Sequence, residues 1–280
     1  MRLRSLLFVP CDRAERMVKA VQSVADSVVL DLEDSVAPDR KADARAMLTR
    51  FLATQTRRTL LFVRINPLHS GWAREDIECL VDDPPDGIVL PKAAGRESIA
   101  QLDALLGRVG LAHLPILPIA TETPAAIFEL GTYRDVAHRL LGLTWGAEDL
   151  SSAIGAVAVR EAAGRFASPY ELVRSLSLFA AHAAGVPAIE TVHPDFTDLE
   201  RLSLVATRAA QDGFTGMMTI HPAQLETIHR AFEPSEQAMA RARAIVAAFA
   251  ANPQAGAVSL GGEMVDAPHL QLAQRMLGRR

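Results

Sequence analysis

In this 280-residue chain the segment SVVLDLED, residues 27–34, indicates the fold class most clearly. Its apolar residues do not alternate with polar ones, and the run is too short for a buried helix. A short continuous run of Val and Leu is typical of a parallel strand that is buried on both faces of its sheet. Because the run ends in Asp31, Glu33 and Asp34, the predicted strand has a charged carboxyl end.

Seven further runs share this pattern, and they are LRSLLFV (3–9), LLFVRI (60–65), GIVLP (87–91), ILPIAT (116–121), LLGLTWG (140–146), VPAIETV (186–192) and GMMTIH (216–221). Helix-like segments separate the runs, and two of these segments end in Gly before the next strand. Eight strand–helix units in fewer than about 240 residues predict an α/β fold of the (β/α)8 TIM barrel type. The alternative is an open doubly wound sheet, but it usually has fewer strands, and no Gly-rich dinucleotide fingerprint follows the first run.

The pattern changes after residue 232. AMARARAIVAAFAA reads as one more helix, NPQAGAVSLGG as a loop with turn signals, and EMVDAPHLQLAQRML as a short extended piece followed by a helix. We expect residues 1–232 to form the TIM barrel catalytic domain. Residues 233–280 then form a C-terminal helical extension or lid, which has too few residues for a core of its own.

Composition excludes several classes of protein. The net charge is −4 and no basic patch is present, so a nucleic-acid partner is not expected. Cys11 and Cys79 show no CxxC spacing, which argues against a disulfide framework or structural zinc and favours a reducing cytoplasm. No run approaches the roughly 18–20 apolar residues of a membrane span, and the N-terminus lacks a signal-peptide core.

Ionisable residues follow nearly every run. In a TIM barrel the active site lies at the carboxyl ends of the strands, so these residues are expected at one mouth. They are Asp12, Arg13, Glu33, Asp34, Arg64, Lys92, Glu122, Glu148, Asp149, Glu190, His193 and His221.

Four of these acids, Glu33, Asp34, Glu122 and Asp149, would converge at the mouth. Carboxylates held close together repel unless they are protonated or bridged by a cation, and oxygen ligands suit Mg²⁺ or Mn²⁺. The guanidinium of Arg64 suits a substrate carboxylate, which together with a metal indicates a 2-keto acid. Two other interpretations stay open: Glu122 favours a helix start through the dipole, and Arg64 forms a structural ion pair with Glu33 or Asp34.

Nine pieces of the chain occur in order from residue 4 to about 277: RSLLFVPCDRAERMVKA, DSVVLDLEDSVAPDRKADAR, FVRINP, GIVLPKA, ATETPAAI, GLTWGAEDL, GFTGMMTIHPAQL, FEPSEQAMARA and GGEMVDAPHLQLAQRML. In these pieces the chain resembles the citrate lyase β-subunit family, which contains the malyl-CoA and citramalyl-CoA lyases. The resemblance implies a trimeric or hexameric TIM barrel that binds Mg²⁺, with Mn²⁺ as a possible substitute. It also implies cleavage or formation of a carbon–carbon bond in a citryl-, citramalyl- or malyl-CoA thioester. The products would be acetyl-CoA or a relative and a keto acid such as oxaloacetate, pyruvate or glyoxylate.

Carried over by position, the resemblance makes Glu122 and Asp149 the metal ligands, with Glu122 also near the substrate. Arg64 would hold the keto-acid carboxylate. Glu33 and Asp34 would act in catalysis by ordering metal-bound water.

The resemblance places Arg13 and Lys19 near the phosphates of coenzyme A. Asp266 matches an acid that relatives present from the C-terminal lid of a neighbouring subunit, where it acts as general acid and base. The chain departs from the pattern at two positions. Cys11 replaces the Gly of a VPG motif, and Met217 replaces a Lys near the last strand.

Three rival functions stay open. Lys92 at the end of the fourth run would serve a Schiff-base aldolase. The chain would also suit a citrate lyase β subunit that works on an acyl carrier protein thioester, or a malyl-CoA-type thioesterase. For the neighbouring acids, strand alternation predicts that Glu148 points away from the site that Asp149 joins.

Overall fold

The eight predicted runs each contain one strand in the computed structural model, which describes residues 3–54, 59–161 and 164–278. The strands are β1 (Ser5–Pro10), β2 (Ser27–Asp31), β3 (Leu60–Arg64), β4 (Gly87–Leu90), β5 (Ile116–Pro118), β6 (Leu143–Thr144), β7 (Ala188–Glu190) and β8 (Gly216–Thr219). All eight strands are shorter than the runs, and β5 and β6 end two or three residues before their runs do.

All eight strands pair in parallel, in the order β5-β4-β3-β2-β1-β8-β7-β6. Parallel bridges between Ile116 and Leu140 and between Ile119 and Thr144 join the two edge strands of this order. A backbone hydrogen bond of 2.9 Å from Ala120 N to Thr144 O adds to this closure. The predicted TIM barrel is therefore confirmed, and the open sheet is excluded.

Helices follow the strands. They are α1 (Ala14–Val21), α2 (Lys41–Thr54), α3 (Ala73–Glu78), α4 (Gly95–Arg108), α5 (Pro124–Phe128), α6 (Glu148–Ile154), α7 (Ser168–Ala184), α8 (Leu199–Asp212), α9 (Leu225–Ala231), α10 (Glu236–Ala251) and α11 (Ala267–Leu277). Short 3₁₀ segments cover Pro38–Arg40, Leu130–Arg139 and Pro222–Gln224. The two Gly residues predicted to end helices do so after α7 and α8, since Gly185 and Gly213 adopt left-handed φ angles of 70° and 112°.

The barrel interior is filled by apolar side chains. Its buried members are Leu3, Leu6, Val29, Phe62, Val89, Leu117, Ile119, Ile189 and Met218. Burying each large side chain contributes about 1.5–3 kcal/mol. The interior is thus a closely packed apolar core, and the polar residues of the strands lie at the strand ends.

The chain divides by its internal contacts into Leu3–Arg230 and a C-terminal unit, described over residues 231–278. In that unit β9 (Ala257–Leu260) and β10 (Glu263–Asp266) form an antiparallel hairpin. Gly261 and Gly262 form its turn with φ angles of 60° and 86°, which suits a two-residue hairpin. Part of the predicted loop is therefore a strand. A small cluster around Val265 and Ile245 also gives this unit an apolar core, contrary to expectation.

The two departures from the family pattern are both buried. Cys11 is a free thiol, and burial together with the charge of Asp31 holds its pKa well above the ordinary value. Met217 is buried on β8, where it is the neighbouring Met218 that joins the barrel interior. Within the described ranges, no helix combines the length and apolar character needed to cross a bilayer.

Candidate active site

A cavity of about 460 Å³ opens at the carboxyl ends of the strands. Phe8, Ile119, Val192 and Met218 from the barrel interior supply apolar lining. Its polar lining consists of Arg16, Asp31, Asp34, Arg64, Glu122, Glu148 and Asp149, together with Ser35 and Thr191. The structure therefore brings the acids predicted from separate strand ends to one mouth.

Arg64 is held by Asp31, which was not among the predicted site residues. The guanidinium Nε donates to Asp31 Oδ1 at 2.7 Å, and Nη2 donates to Oδ2 at 2.8 Å. Burial raises the pKa of Asp31, but Arg64 and the donors Ser35 and Glu33 N lower it further, so the carboxylate is ionised. The pairing of β2 with β3 would have identified Asp31 as a site residue, because Asp31 is the register partner of Arg64.

The third nitrogen of Arg64 pairs with another acid. Nη1 lies 2.8 Å from Glu33 Oε2 and 3.9 Å from Asp34 Oδ2. The ion pair considered from the sequence is therefore present beside the one with Asp31. A guanidinium has five N–H donors, and Asp31 accepts from two of those on Arg64. The contact with Glu33 is an ion pair without a hydrogen bond, since Glu33 Oε2 has no hydrogen-bond partner, and the Arg64 side chain lines the cavity.

Lys92 stands in the middle of the acids. Its Nζ lies 2.9 Å from Glu33 Oε1, 2.9 Å from Asp149 Oδ1 and 3.7 Å from Glu122 Oε1. Burial lowers the pKa of Lys92, but Glu122, Asp149 and Glu33 raise it by more, which keeps the amine protonated. Lys92 also has a left-handed φ of 51°, unique among the described non-glycine residues, and such strain is frequent at functional sites.

Glu122 is buried directly beside Lys92. Burial, together with Glu33 and Asp149, raises the pKa of Glu122 to about 8 against the opposing effect of Lys92. The backbone N–H of Lys92 donates to Glu122 Oε2. A helix-start role falls instead to the next residue, because the Thr123 side chain accepts the Ala126 N–H at the start of α5.

Gly146 makes room for Glu122. A Cβ placed on Gly146 would lie 2.8 Å from Glu122 Cγ and 3.3 Å from Ile119 Cγ2. Any other residue at position 146 would therefore press directly on the glutamate side chain.

Glu148 and Asp149 both lie in the first turn of α6, and both line the cavity. The expectation that strand alternation turns Glu148 away was therefore wrong. Strand β6 ends at Thr144, so the chain has already left the sheet before it reaches the two acids.

The donor set fits a hard divalent cation with two protein ligands. Glu122 Oε1 and Asp149 Oδ1 both lie within 4 Å of one point, the Nζ of Lys92. Within residues 3–54, 59–161 and 164–278, no three His, Cys, Asp or Glu side chains could hold a metal alone. Cations of the Mg²⁺ type keep several waters and often take only one or two carboxylates, which matches this arrangement.

Arg13 and Lys19 are not in the lining of the cavity. Arg13 precedes α1 with a 60% exposed side chain that lies 3.6 Å from Asp12. Lys19 is exposed in the last turn of the same helix. The cation that α1 contributes to the lining is instead Arg16, which was not predicted.

Asp266 belongs to the C-terminal unit, where it precedes α11. Its Oδ1 lies 2.5 Å from His269 Nδ1, and the pair forms a capping box. The hydrogen bond and charge of His269 hold the pKa of Asp266 below its ordinary value. Asp266 therefore caps α11 in this structure, and its carboxylate is ionised.

The barrel and its acid-rich mouth define an α/β-barrel enzyme. The chain belongs to the HpcH/HpaI aldolase/citrate lyase family, whose model matches residues 4–222. The resemblance inferred from nine sequence pieces is thereby confirmed, as is the expectation of an enzyme of the lyase type.

Named relatives agree with this membership. A citrate lyase subunit beta-like protein of Mycobacterium tuberculosis is 37% identical over 273 residues, or 98% of this chain and 94% of the relative. A (3S)-malyl-CoA thioesterase of Cereibacter sphaeroides is 31% identical over 280 residues, covering 99% and 94%. This chain also shares 35% sequence identity with CitE from M. tuberculosis, in its crystal structure in complex with magnesium, acetoacetate and coenzyme A. The two structures superpose with a TM-score of 0.84, covering 99% of this chain and 97% of that one.

Proposed function

We propose that this protein is a Mg²⁺-dependent carbon–carbon lyase, active in the cytoplasm as a homotrimer or hexamer. Its substrates are 3-hydroxyacyl-CoA thioesters such as citryl-, citramalyl- or malyl-CoA. Its products are acetyl-CoA or a relative and a keto acid, and the reaction is reversible in principle. The two free cysteines support a reducing compartment.

The proposal is carried by the meeting of Glu122 and Asp149 around the ammonium of Lys92, in the cavity that Arg64 also lines. These two acids would hold Mg²⁺, or Mn²⁺ in its place, and Glu33 and Asp34 would order its water. When bound, the ion supplies Lewis-acid stabilisation of the negative charge that develops on the substrate oxygen. The magnesium and acetoacetate in the similar CitE structure support the choice of ion and of a keto acid.

Arg64 binds the carboxylate of the keto-acid half through N–H donors that Asp31 does not engage. Asp31 positions this guanidinium by a two-point contact, so little freedom is lost when the substrate binds. The apolar lining from Phe8, Ile119 and Met218 excludes water behind the reacting carbons, which strengthens every charge interaction in the cavity.

Asp266 of a neighbouring subunit accepts the proton of the 3-hydroxyl group. The bond between the hydroxyl-bearing carbon and the thioester α-carbon then breaks, which gives the keto acid and the thioester enolate. The enolate carbon then takes that proton back from Asp266, which acts as general acid in this step, to give the acyl-CoA product. The low pKa that His269 imposes on Asp266 supports an ionised base. Arg13 and Lys19, with Arg16 at the cavity, would bind the phosphates of coenzyme A.

The test is turnover of the three thioesters with Mg²⁺ and with EDTA. We expect Asp149→Asn and Glu122→Gln to abolish Mg²⁺-dependent turnover while the circular dichroism spectrum stays unchanged. Glu226→Gln is the matched control, since this exposed acid pairs only with Arg230 in the described contacts, and it should keep full activity. Full activity of Asp149→Asn would refute the metal assignment.

A thioesterase is the second candidate, because relatives with that name match this chain at 31% identity. Product analysis separates the two: a lyase releases a keto acid and an acyl-CoA, and a thioesterase releases the hydroxy acid and free coenzyme A. Assays with acyl carrier protein thioesters test the citrate lyase alternative. A Schiff base on Lys92 is disfavoured by the two carboxylates 2.9 Å from its Nζ, and failure of borohydride trapping is expected.

A further inference from the structure

A second cavity, of about 200 Å³, is lined by five arginines. It lies beside helices α7 and α8 and the segment that precedes α7. Its lining consists of Arg160, Arg165, Arg174, Arg201 and Arg208, with Gly164, Phe166, Leu204 and Val205. It shares no lining residue with the cavity at the barrel mouth.

Three of the five guanidiniums are neutralised by acids. Arg174 Nε and Nη1 lie 2.6 Å from Glu190 Oε2 and 2.7 Å from Asp212 Oδ2. The remaining two pairs are Arg208 with Glu171, at 2.8 and 2.9 Å, and Arg165 with Glu161, at 3.2 Å. The positive charge of the cavity therefore depends on the other two arginines.

Among the described residues Arg160 has no ion pair with an acid, and Arg201 is paired only loosely, with Asp198. Arg160 Nη2 is buried without a hydrogen-bond partner, and Nη1 has only a 3.5 Å contact with Gly164 O. Arg201 Nε lies 3.6 Å from Asp198 Oδ2, which is beyond a hydrogen bond. Burial, and then the charge of Arg201 against the effect of nearby acids, holds the pKa of Arg160 below its ordinary value.

The positions of these two arginines are built into the fold. The Arg160 guanidinium stacks on Phe166 at 3.9 Å, and Phe166 packs edge-to-face on the buried Trp145 at 4.9 Å. Gly164 has a φ of 78°, and a Cβ there would lie only 2.0 Å from Arg201 Nη1. Only glycine at position 164 therefore allows Arg201 its present place.

We infer that this cavity binds a phosphate group between Arg160 and Arg201. Guanidinium groups match phosphate oxygens by paired hydrogen bonds, and their weak hydration favours buried ion pairs. A phosphate dianion has enough oxygens and charge to contact both the unpaired Arg160 and the loosely paired Arg201, whereas a single carboxylate would leave one guanidinium unmatched. The inference is independent of the proposed lyase function, since it involves none of the residues at the barrel mouth.

The test is isothermal titration of the full-length protein with inorganic phosphate, at constant ionic strength, with EDTA and without thioester. We expect saturable binding by the wild type. Arg160→Gln and Arg201→Gln should each weaken it by about tenfold or more, because a charge-assisted contact is lost. Arg165→Gln removes the same charge from the rim and should change affinity less than about twofold, since that arginine is already paired.

Gly164→Ala tests the geometry without changing charge. Its methyl group displaces the flexible end of Arg201, so phosphate binding should fall about as far as in Arg201→Gln while the thermal midpoint changes little. Absence of saturable binding by the wild type would overturn the inference. So would wild-type affinity in the Arg160→Gln/Arg201→Gln double variant, or an equal loss in Arg165→Gln.

Competition identifies the source of the phosphate group. If the site takes the 3′-phosphate of coenzyme A, then coenzyme A displaces radiolabelled phosphate and dephospho-coenzyme A does not. If the site takes free phosphate, neither compound displaces it. Both results support a phosphate site, and they differ only in what supplies the group.

Discussion

Substitution of Gly146 by Ala tests whether the position of Glu122 controls the chemistry. The added Cβ would lie 2.8 Å from Glu122 Cγ, well inside an ordinary contact of 3.4 Å or more. The same Cβ would lie 3.3 Å from Ile119 Cγ2, so the added methyl group has little room of its own and the glutamate must shift. Overpacking of this kind costs about 1–3 kcal/mol.

If that strain acts mainly on Glu122, the loss in kcat/KM is roughly 5- to 150-fold. We expect the Mg²⁺ concentration for half-maximal activity to rise in parallel, because Glu122 is a proposed ligand. Steady-state kinetics across a Mg²⁺ titration, together with a thermal unfolding curve, measures both effects.

Gly107→Ala is the matched control. Gly107 lies in α4, and a Cβ added there would meet no atom within 4 Å, so the change should be neutral or stabilise by about 0.4–1 kcal/mol. Wild-type kcat/KM and Mg²⁺ dependence in Gly146→Ala would refute the role of Glu122. A large fall in the thermal midpoint with a normal Mg²⁺ dependence would show that the glycine matters for packing alone.

Two further predictions concern acid stability and subunit sharing. Arg4 donates to Asp26 from its backbone and side chain at 2.7–2.9 Å, and despite burial these bonds hold the pKa of Asp26 below its ordinary value. The stabilisation is therefore present above about pH 4 and is lost as the pH falls through the lowered pKa of Asp26. Asp26→Asn should remove part of the decrease in unfolding free energy that the wild type shows on acidification. An unchanged decrease would contradict this prediction. For subunit sharing, Asp266→Asn and Asp149→Asn should each be inactive, yet co-refolded mixtures should regain part of the activity if Asp266 serves a neighbouring subunit. Mixtures that stay inactive despite mixed-oligomer formation would contradict the shared site.

Much of the site could be predicted because it follows strand ends. Arg64, Glu122 and Asp149 were all named from their places after apolar runs, and the structure brings them to one cavity. The sequence does not predict Asp31 as a site residue, because its contact with Arg64 depends on the β2–β3 register that places the two residues opposite each other. From the sequence, Lys92 is predicted only as a possible Schiff-base nucleophile. Its ion pairs with three acids cannot be predicted, since those acids follow different strands.

The barrel, its eight strands and the acid-rich mouth can all be predicted from the amino-acid sequence. These features depend on short-range patterns, namely continuous apolar runs and the polar residue at which each run stops. The helical position of Glu148 next to Asp149, and the meeting of Arg160 and Arg201 at one cavity, become visible only in the folded chain. The physical reason is that distances between charges on different elements are set by barrel closure and helix packing, which no local pattern records.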